Sequence, residues 1–184
     1  MINFKKNNWN NKKNKNKYSQ AIRFETNSRK LIMELDSIDI KLLRLLQKDA
    51  SLSNKELSYA LNKSIAAIHE RVKKLKINGY IKRTVAILDR KKVGMDLISF
   101  SQVFLKAHTA DILNEFEKEV VKFPEVMECY QMAGSYDFML RIATKDMEDY
   151  HVFLRYKLAV LPQVNTVQTY FVLSETKNET AYPI

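Results

Sequence analysis

The stretch that decides the fold is SNKELSYALNKSIAAIHERVKKLKING, residues 53–79. Ser53 stands three residues before Glu56, which is the spacing of a capping box and predicts that a helix begins here. Asn62 tolerates the left-handed backbone of a tight turn, and Ser64 can cap the helix that follows it. Two helices joined by such a turn are the pattern of a helix-turn-helix motif, whose second helix reads DNA.

The residues on either side complete a small domain around this motif. Asp36 can cap an earlier helix that ends near Asp49, and Gly79 stops the last helix. Residues 80–88 alternate enough to predict a short extended segment. The front of the chain is therefore predicted to be a winged helix-turn-helix domain over 34–89.

The third helix sorts into two faces when its residues are spaced by about 100°. The apolar face, expected to pack on the first two helices, consists of Ile65, Ile68, Val72 and Leu75. The opposite face has small residues first and cations further along, which suits close approach to base edges and contact with flanking phosphates. The residues predicted to contact duplex DNA are Ser64, Ala66, Ala67, His69, Glu70, Arg71, Lys73 and Lys74. An ordinary amphipathic helix with a lysine-rich solvent face is the alternative for this helix alone.

Charge is distributed unevenly along the chain, whose formal net charge is +10. Residues 1–34 carry nine basic and two acidic residues, residues 35–89 carry eleven and six, and residues 90–184 carry eleven and thirteen. A basic front half predicts that any polyanion binds there. The first 17 residues contain seven Asn and six Lys, so residues 1–33 are predicted to be a disordered tail.

Beyond a predicted linker at 90–96 the sequence contains an internal repeat. A helix, an apolar residue, Pro, any residue, Val and then a strand occur at Phe123-Pro124-Glu125-Val126 and again at Leu161-Pro162-Gln163-Val164. Two strand-helix-strand units joined by a hairpin predict a ferredoxin-like βαββαβ domain over 97–176, followed by a tail at 177–184. The fold class is therefore α+β.

The predicted sheet of this domain has one covered face and one bare face. Right-handed crossovers place both helices on the same face, and a second copy of the chain is the expected cover of the other. The residues of the second helix that are predicted to point inward are Met147, Tyr150, Phe153, Leu154 and Leu158.

Together these motifs resemble the Lrp/AsnC family of bacterial and archaeal transcription regulators. In the front half the resemblance is carried by residues 35–39, 43–49, 53–58, 70–75 and 79–81. In the back half it is carried by Gly134-Ser135-Tyr136-Asp137-Phe138 and by Leu161-Pro162-Gln163-Val164-Asn165 with Thr169-Tyr170. The chain departs from the family at four positions, because the family often has Gly at 62, Pro near 65 and 67, and Asp at 135.

The resemblance implies a DNA-binding domain joined to a regulatory domain, in a homodimer formed through the sheets and often in an octamer. Amino acids are the implied effectors, bound near a hairpin made by Gly134, Ser135, Tyr136 and Asp137. Gly134 is predicted to supply a positive φ in a tight turn. Asp137 would then pair with the ammonium of the ligand and Ser135 with its carboxylate. Asp137 bracing its own turn is the alternative.

Composition argues against several other classes. Three Gly are too few for a Rossmann turn or a P-loop, and three His with one Cys do not suggest a zinc site, so no cofactor and no metal are expected. The first 17 residues lack the apolar core of a signal peptide, and the longest uncharged stretch, 158–174, contains a Pro and several polar residues. A cytoplasmic protein without a membrane span is therefore expected.

Two further functions stay open at this level. An enzyme on a ferredoxin-like scaffold would draw on His108, His151 or Cys129, although no two of these have triad or metal spacing. A metabolite-binding module whose front end binds RNA would need exposed aromatic residues, and the front domain offers Tyr59 and Tyr80. Duplex DNA is the preferred partner.

Overall fold

The computed structural model describes residues 34–184, and the predicted tail 1–33 lies outside the described residues. The described chain divides into two compact units. One unit contains 34–84 together with 180–184, and the other contains 85–179. The last five residues, predicted as part of a tail, therefore belong to the first unit.

Three helices form the first unit: α1 (Ser37–Leu46), α2 (Asn54–Leu61) and α3 (Ile65–Ile77). Each helix follows a residue whose side-chain oxygen accepts backbone N–H groups of the first turn, and these caps are Asp36, Ser53 and Ser64. The centre of the unit is apolar and excludes solvent; it consists of Leu42, Leu57, Ile68 and Leu75.

The turn between α2 and α3 has the geometry that its sequence predicts. Asn62 adopts the left-handed conformation, with φ 50° and ψ 51°. The turn is closed by two bonds between Ser58 and Lys63: the Lys63 N–H donates to the Ser58 carbonyl at 3.1 Å, and the Ser58 hydroxyl donates to the Lys63 carbonyl at 2.7 Å. The helix-turn-helix prediction is thus confirmed.

Three details of the first unit differ from the sequence predictions. Helix α1 ends at Leu46, because the following residues turn back and donate to the Leu45 carbonyl. Ile65 is 51% exposed, because it is the first residue of α3 and precedes Ile68, where burial begins. Residues 80–88, of which 85–88 belong to the second unit, form no strand and no wing. The N–H groups of Tyr80 and Ile81 donate to the Leu75 carbonyl at the end of α3, and the strands of the described sheet all begin at Leu97 or later.

The second unit is a four-stranded antiparallel sheet with its helices in the order βαββαβ. Its elements are β1 (Leu97–Leu105), α4 (Ala110–Val120), β2 (Val126–Gln131), β3 (Phe138–Thr144), α5 (Met147–Phe153), a π-helical turn (Leu154–Leu158) that continues α5, and β4 (Val164–Phe171). The strand order is β2-β3-β1-β4. This is the ferredoxin-like arrangement that the repeat predicts.

The core of this unit lies between α4, α5 and one face of the sheet. Phe116 and Phe138 pack with ring centroids 4.7 Å apart, and Tyr150 meets Phe171 edge to face at 4.9 Å. Met147, predicted to point inward, is 52% exposed because it is the first residue of α5, three residues before the buried Tyr150.

The other face of the sheet carries exposed aromatic side chains. Phe100 stands opposite Arg141 on β3 and opposite Tyr170 on β4, and cross-strand partners share a face. The open face, as we name it, consists of Phe100, Gln102, Tyr130, Met139, Arg141 and Tyr170. Its aromatic members keep between a third and a half of their surface in solvent.

Candidate nucleic-acid interface

The N-terminal end of helix α3 is exposed to solvent. The Ser64 hydroxyl accepts the Ala67 N–H at 3.2 Å, which fixes where the helix begins. Ala66 and Ala67 form the exposed first turn, and neither side chain extends past Cβ. This end of α3 therefore offers backbone and small side chains to whatever approaches it.

Seven of the eight residues predicted to contact DNA are exposed, and Arg71 is partly buried. The exposed set is Ser64, Ala66, Ala67, His69, Glu70, Lys73 and Lys74. His69 also contacts α2, with its Nδ1 atom 3.2 Å from Nδ2 of Asn54. The face thus runs from a small, neutral end to a cationic end, as the helical spacing predicts.

Arg71 differs from its neighbours because its guanidinium is bound within the protein. Its Nη1 atom lies 2.6 Å from Oδ2 of Asp36 and 2.7 Å from Oδ1 of Asp39. Helical spacing alone places Arg71 among the DNA contacts and predicts no more than a helix cap for Asp36. No local pattern joins these residues, since more than thirty positions separate Arg71 from either aspartate.

These contacts shift the ionisation of the residues that make them. The pKa of Arg71 is raised, first by its hydrogen bond to Asp39 and then by the bond to Asp36. The pKa of Asp36 is lowered, first by the Asp39 N–H and then by Arg71. Both shifts favour the charged forms, so the two partners carry opposite charges near neutral pH.

The hairpin between β2 and β3 is the second place where predicted site residues gather. Asp137 ends this connection, and its Oδ2 atom accepts the Leu105 N–H at 2.8 Å, just where β1 ends. Its Oδ1 atom lies 3.0 Å from Nε2 of His108. The carboxylate therefore binds the end of β1 and the loop that follows. The sequence suggests contacts within its own turn, whereas these contacts are with residues about thirty positions earlier in the chain.

Gly134 does not adopt the positive φ that the sequence predicts for it. In the described chain, positive φ values occur at Asn62, Gly79 and Gly94. The connection from β2 to β3 spans six residues, 132–137, which is long enough to reverse the chain without a left-handed residue. The tight-turn interpretation of Gly134 is wrong for this reason.

The candidate catalytic residues are dispersed. His108 is held by Asp137, His151 is exposed on α5, and Cys129 packs against the core on β2. Burial first, and then the charge of Glu117, raise the pKa of the Cys129 thiol to about 11, so it is protonated at neutral pH. Within residues 34–184, no cluster of three or more His, Cys, Asp or Glu side chains is placed to hold a metal ion.

Both units match known family models. The AsnC-type helix-turn-helix domain matches residues 35–76, and the Lrp/AsnC ligand binding domain matches residues 98–182. The transcriptional regulator AzlB of Bacillus subtilis is 38% identical over 150 residues, which are 82% of this chain and 96% of that protein. The chain belongs to the Lrp/AsnC family. It is a DNA-binding transcriptional regulator.

Other Lrp/AsnC proteins agree with this assignment. The leucine-responsive regulatory protein of Salmonella typhimurium is 35% identical over 78% of this chain and 88% of its own length. A transcriptional regulator of Neisseria meningitidis, solved in complex with L-Met, is similar in structure, with a TM-score of 0.78 and 32% identity. The match covers 82% of this chain and 97% of that one. The structure of Escherichia coli AsnC, at 24% identity and a TM-score of 0.74, shares the fold.

Two sets of contacts in this Lrp/AsnC chain have no signal in its sequence. One is the docking of the last residues on α1, where Gln47 pairs with the main chain of Tyr182. The other involves His108, a candidate catalytic base by residue type, which instead holds Asp137. As a separate observation, none of the helices within 34–184 combines the length and apolar character needed to cross a bilayer.

Proposed function

We propose that this Lrp/AsnC protein binds duplex DNA with sequence preference by placing α3 in the major groove. The observation that carries the proposal is the gradient along the exposed face of α3. Ala66 and Ala67 allow the helix to approach base edges, and Lys73 and Lys74 follow where flanking phosphates would lie. The lysines would supply affinity and the small end would supply discrimination.

The test compares duplexes selected by the wild-type protein from a random-sequence pool with unselected duplexes of equal length. The double variant Lys73→Ala/Lys74→Ala should weaken binding to both and reduce the slope of log affinity against log salt by about 0.9 for each phosphate that is no longer neutralised. Ala67→Leu should instead change which duplexes are selected. Lys118→Ala, an exposed lysine on α4, is the matched control and should leave binding unchanged. Equal affinity of the wild type for both pools would contradict the proposal.

We further propose a homodimer formed through the open face of the sheet, with the octamer as a higher assembly to be measured. Phe100, Tyr130 and Tyr170 expose an aromatic surface, while the opposite face is covered by α4 and α5. A second copy would bury these rings and bring two copies of α3 together on one DNA site. Sedimentation of the full chain distinguishes monomer, dimer and octamer.

The proposed effector is an amino acid. Two relatives support this class, since one is named as leucine-responsive and the other was solved with L-Met. We place the site around the β2–β3 connection, where Ser135 offers a hydroxyl and Asp137 a carboxylate. An incoming ammonium would have to compete with His108 for Oδ1 of Asp137. Calorimetric titration of the twenty amino acids into wild type, Ser135→Ala and Asp137→Asn tests the site; equal binding to all three would place it elsewhere.

We infer a binding protein and not an enzyme, acting in the cytoplasm where regulated DNA is found. The protonated Cys129 thiol and the dispersed histidines support this inference. RNA is a weaker alternative partner, because Tyr59 is exposed but Tyr80 is partly buried against the helical core. Competition of labelled duplex DNA by single-stranded RNA of the same sequence measures the preference.

A further inference from the structure

We propose that Arg71 positions α3 for DNA recognition and does not itself contact DNA. The proposal rests on the proposed docking of α3 in the groove. Its structural basis is a closed set of contacts among Asp36, Asp39 and Arg71, which we name the clasp. The clasp joins the start of α1 to the middle of α3 and lies beside the face that carries Ala67, Glu70 and Lys74.

Every carboxylate oxygen of the clasp is engaged. In Asp36, Oδ1 accepts the N–H groups of Ile38 and Asp39 at 2.8 Å each, and Oδ2 binds Arg71. In Asp39, Oδ2 accepts the Asp36 N–H at 3.2 Å, and Oδ1 binds Arg71. The capping box of α1 is thus also the docking site for α3. Because both aspartates are fixed by the helix they cap, they can hold the guanidinium in one orientation.

The clasp is placed where it controls the rotation of α3 about its own axis. Ile68 and Leu75 are fully buried, and Arg71 lies between them in sequence, at the edge of that stripe. Apolar contacts alone tolerate small rotations, because they are not directional. A guanidinium bound to two fixed carboxylates is directional. The clasp therefore determines which residues of α3 face outward.

Electrostatics argue against Arg71 as a phosphate contact. Two carboxylates face one guanidinium, so the clasp has a net charge of −1, and the Asp39 side chain is only 7% exposed. A phosphate approaching Arg71 would meet this negative charge. Lys73 and Lys74, by contrast, are exposed on the outward face of the same helix. The cations that meet the phosphates are therefore expected to be the lysines.

The test uses the full chain, a duplex selected by the wild type, and an unselected duplex. Arg71→Met and Asp39→Asn should each lower the ratio of selected to unselected affinity by about tenfold or more, as loss of a well-placed base contact does. The slope of log affinity against log salt should stay at the wild-type value. The double variant should lose no more than Arg71→Met alone, because the contact that Asp39→Asn weakens is one of the two that Arg71→Met removes.

Lys73→Ala is the matched control, since it removes a cation from the same helix and should reduce the salt slope by about 0.9. A slope reduction of that size in Arg71→Met would overturn the proposal and make Arg71 a phosphate contact. Unchanged selectivity in Asp39→Asn would also overturn it. So would affinities of Arg71→Met and Asp39→Asn that equal those of the wild type once they are corrected for the fraction of folded protein. If the wild type itself shows no selectivity, it is the docking of α3 that fails.

Arg71→Lys keeps the test decisive where Arg71→Met does not fold. A lysine retains the charge, but its side chain ends one atom short of the position of Nη1, the single atom that binds both carboxylates, and its ammonium has no fixed orientation. A positioning role predicts lost selectivity at an unchanged salt slope in this variant. A phosphate contact predicts that selectivity and slope are both retained, and that result would overturn the proposal.

Discussion

Asp137 is the residue on which the hairpin end of the sheet depends. Its side chain is 15% exposed, and its Oδ2 atom accepts the Leu105 N–H. Asp137→Ala should destabilise the chain by about 1–3 kcal/mol, because that N–H loses its partner in a partly buried site. His108→Ala removes the other partner, which is 73% exposed, and should change stability by less than about 1 kcal/mol. Urea denaturation of both variants measures the difference; equal losses would contradict this interpretation.

The carboxylate caps of the helical unit predict its response to acid. The pKa of Asp36 lies below its ordinary value of 3.8 because of the Asp39 N–H and Arg71, and the pKa of Glu56 lies below 4.5 because of Ser53. A lowered pKa in the folded state contributes stability above the ordinary value, and this stability is lost as pH falls through the folded value.

Denaturation midpoints measured from pH 6 down to pH 3 should therefore fall steeply below about pH 4 in the wild type. Asp36→Asn should be less stable than the wild type near neutral pH and should show a shallower fall in acid. Glu175→Gln, which removes an exposed carboxylate, is the control and should follow the wild-type curve. A variant curve parallel to the wild type throughout would show that Asp36 is not responsible.

At the scale of elements, the turn between α2 and α3 allows a matched pair of substitutions. Asn62 has a left-handed backbone, which costs about 1–2 kcal/mol for most residues with a side chain and less for Asn or Gly. Asn62→Ala should therefore destabilise the chain by about 1 kcal/mol. Asn62→Gly should remain within about 0.5 kcal/mol of the wild type, since relief of strain and added chain entropy oppose each other. Chemical denaturation separates the two.

The docking of the last residues on α1 gives a second prediction at this scale. The Gln47 amide donates to the Tyr182 carbonyl at 2.8 Å and accepts the Tyr182 N–H at 2.9 Å, and the Arg44 side chain donates to the Ile184 carbonyl. Gln47→Ala should abolish protection of the Tyr182 amide from hydrogen exchange, because that amide loses its acceptor. Lys48→Ala, an exposed neighbour, should leave the protection intact. Protection that survives in Gln47→Ala would mean that other contacts hold the segment.

The elements that sequence could predict are those set by neighbouring residues. Each of Ser53, Asn62 and Ser64 makes its contacts with residues a few positions away. Their spacing alone therefore locates α2, the turn and α3. The internal repeat predicts the sheet topology in a different way, because its two strand-helix-strand units interleave: β3 lies between β1 and β2, and β1 lies between β3 and β4. The exposed Ile65 and Met147 show the limit of helical spacing. Spacing predicts which side of a helix is apolar, but not at which residue along the helix that side becomes buried.

The contacts of the candidate site were less predictable because they join distant parts of the chain. Arg71 lies on the outward edge of α3 by spacing, yet its partners are on α1. Asp137 belongs to the β2–β3 connection, yet it holds the end of β1. Charge patterning alone could not choose between these internal partners and an external ligand, since both use the same types of charged side chain.

For the molecule as a whole, the open face of the sheet is the surface through which we propose that two copies associate. Phe100 lies on the inner strand β1, flanked by Arg141 and Tyr170, and is exposed in the single chain. Phe100→Glu should give a monomer at micromolar concentration, because each copy would have to bury a carboxylate in place of an aromatic ring in the proposed dimer, beside an Arg141 that already binds Glu128. Sedimentation equilibrium measures this directly. Val152→Glu makes the same kind of change on α5, where Val152 is also exposed, and should keep the dimer.

Loss of the dimer should carry through to DNA binding. Two copies of α3 held by one dimer bind two half-sites with an effective concentration that a monomer lacks, so Phe100→Glu should weaken binding to a duplex with two half-sites by about 10²-fold or more. Binding to a duplex with one half-site should change little, since α3 itself is untouched. The wild-type melting temperature should also rise with protein concentration, and that of Phe100→Glu should not. A dimeric Phe100→Glu, with full affinity for both duplexes, would show that the open face is not the dimer interface.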